Sequence, residues 1–344
     1  MIDFRYHLVS IVAVFLALAI GIVLGSTELR GAAFSALDRT SSALSGKLNA
    51  ANSENSSLQQ QVNGDKAFAQ AAEPVLLAHL LDGKRAVIIT APAAPAGVVN
   101  GVTTALTDAG ASVSGQVALT TKFGDTAGSN LSLLNQLTQQ VTPSGMTPVN
   151  GSPQLQAAQV LASAILSPSS AQSGSHPSGS QPGTGQSTQS AQTILQSYAQ
   201  GGFLTVSGQP ASGATLAVIV TTATPPVAGN SDPASQAIVS LATEMGQASE
   251  AAVVAGASAA SGPGSAISAV RASGAANHAS TVDDADAVSG QIVTIQALAQ
   301  QVNGHKPGSY GTQQDASSDG PSPAPTPSAS GSTTTKTPSA KGKK

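Results

Sequence analysis

Residues 8–27 constrain this chain more than any other stretch, because no Asp, Glu, Lys or Arg occurs among them. Val, Ile, Leu, Ala and Phe fill most of the run. At about 1.5 Å per residue it makes a helix of roughly 30 Å, the thickness of a bilayer's hydrocarbon core. Residues 1–30 therefore predict a transmembrane anchor, with soluble polypeptide after it. Ala17-Leu18-Ala19 also fits a signal-peptidase site, which makes a cleaved leader the rival reading. The apolar run continues through residues 20–24, and Arg5 is the only full positive charge ahead of it, so the anchor is expected to be retained. Phe4, Arg5 and Tyr6 would then sit at the membrane interface. Arg30, Arg39 and Lys47 follow the helix, so a bare count of Lys and Arg leans against export of the C-terminal bulk. Long domains translocate regardless of flanking charge. The expected topology is a single-pass anchor with the C-terminal domain extracytoplasmic.

Beyond the anchor the helical pattern continues as heptads. Phe34, Ser41, Leu48, Asn55 and Val62 fall at a, and Leu37, Leu44, Ala51 and Leu58 at d. Residues 31–73 are predicted to form a coiled coil that makes the chain a homodimer or higher oligomer, with Asn55 at an a position fixing the register and favouring two strands. The alternative is an amphipathic helix lying on its own globular domain. Pro74 is expected to end or kink the helix.

The period changes after residue 84. Arg85-Ala86-Val87-Ile88-Ile89-Thr90 reads as a buried strand, residues 98–109 as a helix closed by Gly110, and residues 113–119 as the next strand. That is a βαβ unit, and it implies a parallel sheet. Helices are predicted at 131–141, 154–166, 191–200, 234–247, 264–272 and 286–302. Strands are predicted at 203–206, 215–222 and 251–255, with a weak one at Ser280-Thr281-Val282. The fold class is α/β: a Rossmann-like parallel-sheet domain of five or six strands over residues 84–311. Residues 167–190, rich in Ser, Gly, Gln and Pro, read as a disordered insertion within it. Residues 312–344 have no apolar periodicity and read as a disordered tail.

Few side chains suited to chemistry are available. Charged residues make up 9% of the chain and there is no Cys, which excludes disulfides, thiolate metal sites and Cys nucleophiles. A net charge of −3 gives no electrostatic case for nucleic acid. The turn Ala91-Pro92-Ala93-Ala94-Pro95-Ala96-Gly97 lacks the glycine spacing that admits a pyrophosphate, and no GxxxxGK[ST] or GxSxG occurs. The turn from Gly256 to Gly264 could offer amides to an anion, although Pro263 removes one donor; a plain strand-to-helix turn is the preferred reading. Asp283, Asp284 and Asp286 form the densest acidic group, read as a helix N-terminus with Asp286 in its first turn. The residues yield no catalytic or cofactor-binding set, and an enzyme is not expected.

Two segments resemble the actinobacterial MctB copper-transport family. The first is Met1-Ile2-Asp3-Phe4-Arg5-Tyr6-His7-Leu8-Val9-Ser10 followed by Gly21-Ile22-Val23-Leu24-Gly25. The second is Ser280-Thr281-Val282-Asp283-Asp284, then Gly290-Gln291 and Gly308-Ser309-Tyr310-Gly311, with Ser309 where His would be expected. The likeness spans residues 1–311. It implies copper efflux and copper resistance, in a family described as pore-forming in the outer envelope. A relative tied to cell-separation control implies the alternative, a non-catalytic envelope scaffold or regulator acting through the coil with an envelope protein partner. Copper enters as a transported ion, and no resident cofactor is implied. The metal ligands are unassigned: Met1, Met146 and Met245 are far apart, and His7, His79, His176, His278 and His305 form no HxH or HxxH.

Overall fold

The computed structural model describes residues 4–166, 187–222 and 232–325. Helix α1 runs without a break over Phe4–Leu77. Within it, Tyr6–Gly25 is long and apolar enough to cross a membrane, with a mean hydropathy of 2.9. Of the two outcomes expected at Pro74, an end to the helix is corrected: Pro74 lies inside the last turn of α1, and its carbonyl accepts from Ala78 N at 3.2 Å. The chain leaves α1 at His79, whose φ of 63° is left-handed. Two compact units make up the chain, Met1–Asp65 and Lys66–Lys344, and the globular fold lies in the second.

That unit holds one seven-stranded sheet in the order β3-β2-β1-β4-β5-β6-β7. The strands are β1 (Arg85–Thr90), β2 (Ser112–Leu119), β3 (Leu204–Gly208), β4 (Leu216–Val220), β5 (Ala251–Ala255), β6 (Ser280–Val282) and β7 (Ser309–Tyr310). The helices after α1 are α2 (Ala96–Asp108), α3 (Gly128–Val141), α4 (Pro153–Ile165), α5 (Thr188–Gln200), α6 (Pro233–Ala248), α7 (Ala266–Arg271) and α8 (Val288–Val302).

The period-two rule builds both cores. Ala86 and Ile88 of β1 point to one face with Leu216, Val218 and Val220 of β4, and α2 and α8 cover that face through Val102, Leu106, Ile295 and Leu298. Val87 and Ile89 point to the other, with Ala217 and Ile219, under Leu161 of α4, Leu195 of α5 and Leu241 of α6. A sheet buried on both faces needs continuous apolar strands, and RAVIIT, LAVIV and AAVVA are such runs.

Three expectations are corrected. The sheet has seven strands, and its edge strand β3 pairs antiparallel with β2. This pairing needs two glycines face to face: a Cβ on Gly115 would lie 2.6 Å from Ser207 O, and Gly208, at φ +69°, would bring one within 2.9 Å of Gly115 Cα. The expected insertion is shorter at its end, since Ser187 caps α5 by accepting from Ser190 N, and α5 starts at Thr188; residues 167–186 lie outside the described residues. Residues 312–325 are ordered, whereas the sequence pattern predicts a tail without structure from residue 312. Gly311 N donates to Ser318 O at 3.1 Å, Gln300 Nε2 donates to Pro323 O at 3.4 Å, and Pro321 is buried. Residues 326–344 lie outside the described residues.

Candidate functional site

In an open parallel sheet the connections from two neighbouring strands can leave in opposite directions, and a crevice opens beyond their carboxyl ends. Here those neighbours are β1, which leads to β2, and β4, which leads to β5 on the other side. A cavity of about 600 Å³ lies there. Ala91 and Pro92 after β1, Thr120 and Thr121 after β2, and Thr221 after β4 form its base. The first turn of α6 and the start of α7 form further walls. Gly124 allows the turn after β2 to approach α6, for a Cβ there would lie 2.9 Å from Ala234 Cα.

The polar groups of the cavity are mostly engaged. Asp125 accepts from Ala127 N at 2.8 Å and from Asn130 Nδ2 at 2.7 Å, and these bonds hold its carboxyl below the usual range. Asp232 accepts from Ala234 N at 3.3 Å as the N-cap of α6, and Pro233 has no N–H. The Thr221 hydroxyl is buried without a hydrogen-bond partner among the described residues. Lys122 leans toward the β3 entry turn, where a Cβ on Gly202 would lie 3.2 Å from Nζ.

The turn from Gly256 to Gly264 has lost much of its donor capacity. Ser258 N and Oγ both donate to Asp286 Oδ1, at 2.8 and 3.0 Å. Asp286 therefore braces this turn, and the expected helix-terminal role is corrected: the N-cap of α8 is Ala287. Asp283 does not cap a helix either. It is fully buried and accepts from Arg271 Nη2 at 2.9 Å, Thr312 N at 2.8 Å and Gln313 N at 3.3 Å. Arg271 also donates Nε to Thr281 Oγ1 at 2.9 Å and Nη2 to Tyr310 O at 2.7 Å. This network ties α7, β6, β7 and residues 312–315 together.

Asp284 differs from its neighbours: its Oδ1 is buried with no partner among the described residues. Burial first, and the adjacent Asp283 second, push its carboxyl up to about 6. Between the unfolded value, about 3.9, and 6 the folded state binds more protons than the unfolded one, so stability is lost as pH rises through that window. Asp284→Asn is expected to stabilise the domain by about 1–2 kcal/mol at pH 7.5 and to leave it unchanged near pH 4, after allowing for partial exposure. Urea denaturation at the two pH values checks this.

The residues considered for copper lie in separate elements. Met245 is buried in α6, and Met146 packs partly buried against the same core. His79 Nδ1 meets Asp82 Oδ2 at 2.8 Å on the surface, His305 meets Gln300 O at 3.3 Å, and His278 follows the turn after α7. His7 is exposed on α1; Met1 and His176 lie outside the described residues. No group of three His, Cys, Asp or Glu could hold a metal among the described residues. Sequence reasoning missed Thr221, Asp125 and Asp232 as cavity residues. The available signal was the change from apolar to polar residues at strand ends, Val220 to Thr221 and Leu119 to Thr120, read together with the switch-point rule.

The family described as "Copper transport outer membrane protein, MctB" matches residues 1–321. Curated relatives named "Copper transporter MctB" from Mycobacterium bovis and Mycobacterium tuberculosis are each 28% identical over 321 residues, covering 92% of this chain and 98% of theirs. The match reaches past residue 311 into the segment that folds onto Asp283.

Proposed function

Because the chain belongs to the MctB family, we propose that it acts in the cell envelope in copper transport and copper resistance, held to a membrane by the Tyr6–Gly25 segment of α1. The observation that carries this reading is the extent of the match, which includes the apolar helix and the whole sheet domain. The Rossmann-like domain would lie extracytoplasmic and act without catalysis. Leu37, Leu44, Leu48, Leu58 and Val62 are exposed along α1, which supports pairing with a second copy as a coiled coil. If copper crosses through this protein itself, several copies must line a path, since Tyr6–Gly25 contributes one helix per chain. The same exposed seam favours a second reading, an envelope scaffold or regulator of cell separation with a protein partner. Growth of a deletion strain separates the two: the first predicts copper sensitivity, the second a division defect at any copper level.

Copper is proposed as cargo, without a resident site in the soluble part. Tight Cu(I) sites use converging soft ligands. The segment 31–325, which includes the residues folded onto Asp283, has no Cys and only Met146 and Met245, which sit in packed hydrophobic surroundings. In a titration against a chromophoric Cu(I) chelator of nanomolar affinity, this segment is expected to remove no copper. One equivalent taken up, and lost in Met245→Leu or His278→Ala, would contradict the proposal.

A further inference from the structure

From Pro321 onward the chain uses only six residue types. Residues 321–344 are ten Ser and Thr, five Pro, four Lys, three Ala and two Gly, with no acidic or aromatic residue and no Val, Ile, Leu or Met. The family match stops at residue 321, so this composition lies outside the region shared with the copper-transport relatives. The structure changes at the same place. Pro321 is buried, whereas Ser322, Pro323 and Ala324 are exposed, and Gln300 Nε2 donates to Pro323 O at 3.4 Å. The run therefore starts from a fixed point on the sheet domain. Pro323 disfavours helical backbone at the residue before it, which keeps Ser322, the first hydroxyl of the run, on non-helical backbone at the surface. Elsewhere in the domain hydroxyls have structural uses: Ser152, Ser187 and Ser265 cap helices, and Thr103, Thr138 and Thr294 donate to the carbonyl four residues back. Beyond residue 321 the sequence supplies no large apolar side chains against which hydroxyls could be buried. Ser and Thr interleaved with Pro in this proportion are the composition of O-glycosylated stalks.

We propose that the Ser and Thr residues from Ser322 to Ser339 are O-glycosylated in the envelope, which makes residues 321–344 a sugar-bearing extension of the sheet domain. The inference rests on the extracytoplasmic topology proposed above and is independent of whether the protein moves copper. The donor class is a hexose linked to polyprenyl phosphate, and a separate envelope glycosyltransferase carries out the transfer. The bond from the sugar C1 to the phosphate oxygen breaks, and its electron pair leaves with the polyprenyl phosphate. A bond from the Ser or Thr Oγ to C1 forms, and the hydroxyl proton passes to a base of the transferase. Phosphorylation of the same hydroxyls would need ATP and hence the cytoplasmic face.

The test is the intact mass of the full chain, extracted in detergent from membranes of its native host. A ladder of masses spaced by one hexose each is expected above the mass of the sequence, with the sugars mapped by electron-transfer fragmentation to residues 322–339. Replacing all ten Ser and Thr of that stretch by alanine should collapse the ladder to a single mass. It should leave the unfolding temperature of the sheet domain unchanged, since the ties to Asp283 and Gln300 use none of those side chains. Topology is read separately. The chain has no cysteine, so an Ala324→Cys chain reports its side of the membrane by reaction with a membrane-impermeant maleimide in intact cells. Three results overturn the inference: a mass equal to that of the sequence, increments of phosphate in place of hexose, or hexoses confined to residues before 322. In each case maleimide labelling of the Ala324→Cys chain leaves the topology standing and removes the glycosylation alone, whereas absence of labelling removes both.

Discussion

Replacing Asp283 by alanine, or Arg271 by methionine, is expected to destabilise the sheet domain by about 3–5 kcal/mol, because either change removes the buried partner of a buried charge, and the half-exposed Asp315 replaces Asp283 only in part. Asp283 is 0% exposed and the Arg271 side chain 4%. Loss of the carboxylate leaves the guanidinium only Asp315, a half-exposed partner, besides Thr281 Oγ1 and Tyr310 O, and also frees the amides of Thr312 and Gln313. Loss of the guanidinium strands a carboxylate with only neutral donors. At 2–4 °C per kcal/mol for a domain of this size, thermal unfolding should fall by about 10 °C. A second readout separates this network from general weakening: residues 312–325 should become cleavable by protease well below the unfolding temperature. The double change Asp283→Leu with Arg271→Met should recover much of the loss, since the desolvation of both charges disappears together. A single variant as stable as the wild type, with residues 312–325 still protected, would contradict this assignment.

The second large effect concerns α1. Leu44 is 67% exposed, and Leu37, Leu48, Leu58 and Val62 are exposed in the same heptad frame. In a two-stranded coil each buried Leu or Val would contribute about 1.5–3 kcal/mol. Leu44→Asp puts a charge into the seam twice per dimer and should weaken association on the order of a thousandfold. Asn55→Leu should act in the opposite direction, raising thermal stability while loosening the preference for two strands. Sedimentation of residues 31–325 at tens of micromolar measures both. A wild-type fragment that sediments as a monomer, unaffected by Leu44→Asp, removes the dimer from the account.

The fold was most legible where burial on both faces wrote itself as an unbroken apolar run. RAVIIT and AAVVA are strands at the expected residues, and the helix after β1 ends beside Gly110, whose φ is +86°. Ser280-Thr281-Val282, a weak strand by side chains alone, pairs with β5 because its polar residues find partners: Ser280 Oγ accepts from Gln301 Nε2, and Thr281 Oγ1 from Arg271. The direction of β3 was not legible, since it depends on the contact between Gly115 and Gly208, and no local pattern reports that. Residues 312–325 were misread for a related reason. Their order comes from backbone amides donating to Asp283, a residue distant in sequence, and not from apolar periodicity. The candidate cavity was the least legible part. Thr221, Asp125 and Asp232 come from separate connections that only the strand order brings together.

The central claim, a membrane-held protein of copper handling, is tested most directly by the copper content of cells. A deletion strain grown at sub-inhibitory copper should hold several times the copper of its parent. The full chain should restore the parental level. A version in which residues 1–30 are replaced by a cleavable signal peptide, releasing the sheet domain from the membrane, should not. Parental copper content in the deletion strain, or full restoration by the released domain, would contradict the account.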